Sequence, residues 1–180
     1  MVDSLALSLV PAGVQHAALW HGWRQEAATQ RFNPVDPVDV AEVARRLGAA
    51  GSDLHGEIRS EFRWMVARAD GTLIGTVALV DVRWRMGYAE VAYGLGAAYH
   101  GQGYGTAAVR LLVDTAFAQT TLQRLWAAVA VGNVASRAIL QRLGFVHEGT
   151  LRQHFVIGGV RTDEAIYGLL RDEWPTAKPP

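Results

Sequence analysis

The sequence predicts a mixed α/β fold, a single sheet with helices packed against it. Two observations carry this. The first is the order of periodic segments: β-α-α, then three strands in succession, then α-β-α-β-β, which is not the strict alternation of a doubly wound sheet. The second is the punctuation, with tight-turn signals inside the run of strands and a glycine-rich loop, His100–Thr106, between a strand and a helix.

The elements follow in chain order. Residues 4–10 alternate weakly and are expected to form a first strand. Residues 14–28 suggest a helix carrying Trp20 and Trp23. Asp36-Pro37 reads as a helix start, an N-cap followed by proline in the first turn. Val40, Val43, Ala44 and Leu47 then recur at helical spacing, and Gly48 is expected to end the helix. Residues 49–61 are polar and irregular. Phe62–Arg68 and Leu73–Arg83 read as strands about the turn Asp70-Gly71, and Tyr88–Leu95 follows a turn near Met86-Gly87. A helix is expected from Gly103 to Gln119, a strand over Arg124–Val131, and a helix over Ala135–Leu143 closed by Gly144. The last two strands begin at Phe145 and Val160, with Gly158-Gly159 as their turn.

With 180 residues, half of them apolar, the chain suits one domain with a substantial core. Residues 1–174 are read as that domain and 175–180 as a loose tail. Seventeen basic and seventeen acidic residues cancel, so nothing global points to nucleic acid or an acidic membrane as partner. The absence of cysteine excludes disulfides, thiol nucleophiles and thiolate metal sites. The six histidines (16, 21, 55, 100, 147, 154) contain no i,i+4 pair, so no metal is expected. No apolar run is long enough for a membrane span, and the first residues do not read as a secretory leader, which leaves the cytoplasm as the expected location.

The loop His100-Gly101-Gln102-Gly103-Tyr104-Gly105-Thr106 carries the first chemical signal. Amides at a helix start have no intrahelical acceptor, and the helix dipole makes the spot positive. Glycines at 101, 103 and 105 let the chain curl so that several amides converge on one anion, and Thr106 adds a hydroxyl. A nucleotide P-loop needs Lys then Ser or Thr after its last glycine, and here Thr106-Ala107 follows. A dinucleotide fingerprint needs G-x-G-x-x-G and an acidic residue further on, and both are missing. The second signal is Asn133-Val134-Ala135-Ser136, polar groups opening a helix that ends at Leu143-Gly144-Phe145.

Taken together, these segments resemble the GNAT superfamily of acyl-CoA-dependent N-acetyltransferases. His100–Gly105 is similar to that family's [Arg/Gln]-x-x-Gly-x-[Gly/Ala] loop, with His100 at the position usually Arg or Gln. Asn133, Ser136, Leu140, Gly144 and Phe145 match the Asn-x-x-Ser-x-x-x-Leu-x-x-x-Gly-Phe pattern of its RimJ/RimL-like branch, the ribosomal-protein N-terminal acetyltransferases. Ala89–Tyr93, Glu148-Gly149, Asp163 and Leu169–Trp174 extend the likeness, which runs from about residue 72 to 174. The resemblance implies a central twisted, mostly antiparallel sheet flanked by helices. It also implies acetyl transfer from acetyl-CoA to a primary amine, either a protein N-terminus or a small molecule. The cosubstrate would lie along Tyr93, Gly94 and Leu95, over His100, Gly101, Gln102, Gly103, Tyr104, Gly105 and Thr106, and against Asn133, Ser136 and Arg137. Arg142 is a second candidate for its 3′-phosphate. A tyrosine general acid common in the superfamily falls at Leu140 here and is therefore absent.

Two side chains are nominated for the chemistry. On the strand Tyr88–Leu95 the period of two puts Glu90 on a face with Tyr88, Ala92 and Gly94, and it is the only charge there. Burial would make it a base for the attacking amine, and pairing with an arginine or a place at a sheet edge is the structural alternative. Ser136, one turn into its helix, can donate to a developing thiolate or serve as a local backbone cap. Trp20 and Trp84 are candidates to line the acceptor pocket, against the commoner role of packing. The resemblance places that groove between the first two helices and the strands 73–83 and 88–95. An acyl-CoA-binding module without turnover, a sensor or interaction domain, is the alternative function. Strand edges in this fold often pair, which makes a homodimer a candidate assembly.

Overall fold

The computed structural model describes residues 5–33, 37–55 and 58–175. One seven-stranded sheet organises them, in the order β1-β2-β3-β4-β5-β7-β6. Its strands are β1 (Leu7–Pro11), β2 (Phe62–Arg68), β3 (Leu73–Arg83), β4 (Tyr88–Leu95), β5 (Arg124–Ala130), β6 (Val146–Ile157) and β7 (Val160–Leu170). Neighbours run antiparallel except β4 and β5, which are parallel. A parallel pair needs a crossover, and the helix α4 (Tyr104–Gln119) supplies it.

The two sheet faces differ. Ala89 and Val91 of β4 share one face with Val77, Leu79 and Leu125, and α4 covers it with Leu112 and Val113. The other face carries Glu90 and Ala92 and, across β3, Arg63 of β2. Here α1 (Ala17–Gln25) and α3 (Val40–Ala49) pack through a smaller cluster of Ala17, Val43 and Leu47. The Arg63 guanidinium lies 4.4 Å from the centre of the Trp20 ring, a cation–π contact that ties α1 to the sheet. At the far end of α4, Arg171 donates to the carbonyls of Phe117 (2.8 Å) and Leu122 (2.6 Å) and to that of Thr120, placing a cation where the helix dipole is negative.

Several boundaries differ from the sequence expectations. The expected helix over 14–28 is a 3-10 turn, α1, and a separate short helix α2 (Ala27–Gln30), because Glu26 is extended between them. Helix α3 starts three residues later than expected. Asp36 lies outside the described residues, and Asp39 is the N-cap, its carboxylate accepting from Glu42 N at 2.8 Å. Gly48 does not stop α3, which runs to Ala49. Helix α4 begins at Tyr104 with Gly103 as its cap, and the last helix, α5, spans Val134–Arg142. β1 begins at Leu7, and of the expected tail 176–180 falls outside the described residues.

Candidate active site

The site begins where β4 and β5 part. Their ladder pairs Tyr88 with Arg124, Ala89 with Leu125 and Glu90 with Trp126, and goes no further. The β5-facing edge of β4 from Val91 to Leu95 is therefore left to other partners. Gly94 is exposed, and a Cβ built on it meets no heavy atom within 4 Å, so open space lies beside the strand.

The glycine loop closes the end of this opening. Gly101 and Gly103 have φ of +72° and +85°, which only glycine adopts without strain, and they turn the chain into α4. The first helical bond runs from Ala107 N to Gly103 O (3.2 Å), so the amides just before Ala107 have no helical acceptor. Gly105 permits close packing of the two helices, since a Cβ there would stand 2.7 Å from Ile139 Cδ1 of α5. The His100 Nε2 bonds to Leu95 O (3.0 Å), and the Gln102 amide donates to Ala98 O (2.8 Å), so both side chains brace the loop.

Glu90 stands at the apex of the opening, on the face toward α1 and α3. Its pKa is raised to about 7, first by burial and then by the negative charges of Glu164 and Asp81. Glu164 is only 3% exposed and pairs with His154 Nδ1, whose ring reaches solvent. A carboxyl that titrates near neutrality beside an opening can take a proton from an amine.

Ser136 approaches from the opposite face, in the first turn of α5. Asn133 caps that helix, its Oδ1 accepting from Ser136 N at 3.1 Å. The Ser136 hydroxyl lies 2.7 Å from the hydroxyl of Tyr93, which projects from β4 beyond the last β5 pair. Arg137 points inward. Its guanidinium donates to Tyr167 Oη (3.2 Å) and Val131 O (3.1 Å), tying α5 to β7 and β5, while Arg142 is exposed.

Both tryptophans, candidates for the acceptor pocket, are half-buried and make packing contacts. Trp84 donates to Arg59 O (2.9 Å) and meets Phe62 edge-on at 5.9 Å, holding the loop before β2 against the core. Trp20 is held between Arg63 and Arg24. Their neighbours along the chain reach the walls of the opening. Trp23 packs on Gly96, where a Cβ would fall 2.5 Å from its indole nitrogen, and Glu26 accepts from Ala97 N at 2.7 Å. Phe32 reaches Gly132 in the β5–α5 loop. The segment from α1 to Phe32 thus touches both walls of the opening. Sequence spacing gave no sign of these contacts, nor of Tyr93–Ser136 or Glu164–His154, because each except the last joins residues more than 40 positions apart and none forms a motif. Among the described residues no group of three or more His, Cys, Asp or Glu could hold a metal ion, and no helix is long and apolar enough to cross a membrane.

Comparison with known proteins places this architecture. The sequence profile of the acetyltransferase (GNAT) domain matches residues 6–146. YdaF of Bacillus subtilis (strain 168), whose name assigns it to the N-acetyltransferases, is 37% identical over 109 residues, 61% of this chain and 60% of YdaF. The chain thus matches less than two thirds of that relative's length. The structure of spermidine N-acetyltransferase from Vibrio cholerae, in complex with CoA and spermine, superposes with a TM-score of 0.81 at 22% identity, covering 93% of this chain and 96% of that one. Mycobacterium smegmatis RimJ in complex with CoA-disulfide gives 0.80 at 24% identity over 94% and 84%. At these identities the two structures establish a shared fold, with its mixed sheet flanked by helices. Given a family match over most of its length and this fold, the chain belongs to the GNAT acetyltransferase family.

Proposed function

We propose that this protein is an N-acetyltransferase that moves acetyl from acetyl-CoA to a primary amine by direct attack. The observation that carries the reading is the parting of β4 and β5 immediately beyond Glu90, with the α4 amides at its far end. An acyl-CoA has the two features such an opening suits. Its diphosphate is an anion for the amides at Gly101–Thr106, and its amide-bearing arm can bond along the free edge of Tyr93–Leu95 as an added strand.

In this reading the amine nitrogen attacks the thioester carbonyl carbon, a C–N bond forms and the C–S bond breaks. Glu90, titrating near 7, takes the proton the amine loses, directly or through a water. The Ser136 hydroxyl donates a hydrogen bond to the departing sulfur, and the N-terminus of α5 adds a favourable field. Asn133 holds the first turn of α5 in place. No covalent acyl-enzyme is needed, consistent with a chain that has no cysteine.

The acceptor is read as an amine of the two kinds the relatives' names span, a protein N-terminus in a RimJ/RimL-like enzyme or a small polyamine. It would enter on the Glu90 face, under α1 and α3, where Glu90, Glu164 and Asp81 favour a cation. A cytoplasmic location belongs to the same reading, because the reaction consumes acetyl-CoA. A homodimer through the β6 edge fits the exposure of Val146, Leu151 and Val156 along that strand; light scattering during gel filtration reads it directly.

The functional test is thiol release from acetyl-CoA with a panel of peptide and polyamine acceptors, with mass spectrometry of the product. Amine-dependent release with an acetyl mass added to the acceptor is expected. Tight CoA binding without release for any amine would replace the enzyme by an acyl-CoA-binding module.

A further inference from the structure

Tyr93 is the one side chain on the free stretch of β4 whose polar end reaches across to α5. Its hydroxyl lies 2.7 Å from Ser136 Oγ and 3.3 Å from Ser136 O. The Ser136 amide is already committed to Asn133 Oδ1, so the residue is held at its backbone and through its hydroxyl. A serine hydroxyl in a helix has a competing use for its proton, a bond back to a carbonyl of the preceding turn. Something must turn that proton outward if it is to serve a ligand.

We infer that Tyr93 is a positioning residue for the leaving-group side of the transfer: its phenol donates to Ser136 Oγ and thereby frees the Ser136 proton to point at the departing sulfur. This inference rests on the acetyltransferase reading above. The direction of the bond follows from the chemistry of the two groups. The Tyr93 proton has two acceptors in reach, Ser136 Oγ at 2.7 Å and Ser136 O at 3.3 Å; the phenol is the more acidic of the two hydroxyls and Oγ is the shorter contact, so the proton is assigned to Oγ. Burial reinforces this by keeping the phenol neutral, its pKa pushed up to about 12 although the bond to Ser136 works in the opposite sense. The result is a chain, Tyr93 O–H to Ser136 Oγ–H to sulfur. Each bond in such a chain polarises the next, so the serine donates more strongly as negative charge gathers on sulfur. No proton leaves Tyr93. The phenol improves a donor and does not replace it.

The position also explains why this tyrosine can do so. Strand β4 continues past its last β5 partner, so Tyr93 has no β5 residue paired with it and its hydroxyl meets α5 instead. Leu140, one turn further along α5, is fully buried and brings no polar group to the opening.

The test is a double-mutant cycle on Tyr93→Phe and Ser136→Ala, read as kcat and KM for acetyl-CoA with the best amine. Tyr93→Phe is expected to lower kcat by about tenfold, the worth of one strengthened hydrogen bond, with KM for acetyl-CoA held within about twofold. In the Ser136→Ala background the same change is expected to do nothing further, because the path to sulfur is already cut. Equal kcat for wild type and Tyr93→Phe, or a loss that persists without the serine hydroxyl, overturns the inference while leaving the activity intact. A wild-type protein that releases no thiol with any amine overturns the acetyltransferase reading and this inference with it. A second variant covers a poorly folded Tyr93→Phe: 3,5-difluorotyrosine at position 93 keeps the ring's shape but acidifies the phenol. Its kcat is expected to fall at a lower alkaline pH than that of the wild type. An unmoved alkaline limb counts against Tyr93.

Discussion

At the scale of single residues, the proposed chemistry turns on a carboxyl whose environment suits it to act as a base. Glu90 has a folded pKa near 7, well above that of an unfolded glutamate, so the folded state binds its proton more tightly. Two consequences have opposite signs. Turnover needs the ionised form and is expected to rise with pH through about 7. Stability is fully present below the unfolded value and is lost as pH rises through about 7, because ionisation there is opposed by burial. Glu90→Gln is therefore expected to cut kcat by roughly 10²–10⁴, while its melting temperature gains on the wild type at pH 8 and not at pH 4. A variant with wild-type turnover removes Glu90 from the mechanism. Glu164 supplies the finer control. Glu164→Gln deletes the negative charge that acts more strongly on Glu90, so the rise in kcat/KM is expected to move to lower pH, though not to that of a free glutamate, since burial remains the first cause. An unmoved profile would show that the two carboxylates do not communicate. The place of Glu90 on its strand face was legible in the sequence because a strand's period of two singles out the lone charge on a face. Glu164 was not, since its burial and its pairing with His154 depend on how β6 and β7 register across two bulged positions.

At the scale of elements, the glycine loop is a device for ending β4 and starting α4 with its amides exposed. Gly103 is the cap, at φ +85°. An alanine there must enter the left-handed region, which costs about 1 kcal/mol. Relaxation of the backbone away from that strain would turn the first amides of α4 from their present direction. Gly103→Ala is expected to lower the melting temperature by a few degrees and to weaken CoA binding by calorimetry disproportionately to that loss. Unchanged affinity would mean that the phosphates are held elsewhere. The motif made the strand–loop–helix turn readable, but not the bonds by which His100 and Gln102 brace the loop through Leu95 O and Ala98 O. The start of α3 was misplaced for a comparable reason. Asp36-Pro37 and Asp39 both carry the chemistry of a helix start, and local sequence does not rank two N-cap aspartates. The carboxylate of Asp39 is the one that meets an amide three residues on.

At the scale of the molecule, the sheet separates two apolar layers of unequal size, and the smaller one guards the opening. The α4 face buries Phe62, Leu79, Leu112, Leu125 and Tyr167 almost completely. The α1–α3 face rests on Ala17, Val43 and Leu47, with Trp20 against Arg63. Regions with few buried apolar contacts open at lower free energy than the core. That layer also carries the segment that touches both walls: Trp23 at Gly96 and Glu26 at Ala97 on the β4 side, Phe32 at Gly132 on the β5 side. A ligand seated between the walls favours the arrangement in which these contacts are closed, and it stabilises that arrangement by mass action. Amide hydrogen exchange by mass spectrometry can follow this. Without ligand, peptides covering 17–30 are expected to exchange faster than those of β3 and β5. Acetyl-CoA is expected to slow exchange over 17–30 and over the loop 96–106, and to leave β3 near its already slow rate. Protection confined to 96–106 would show that the α1 segment is a fixed wall, and the closing role argued from Trp23, Glu26 and Phe32 would fall.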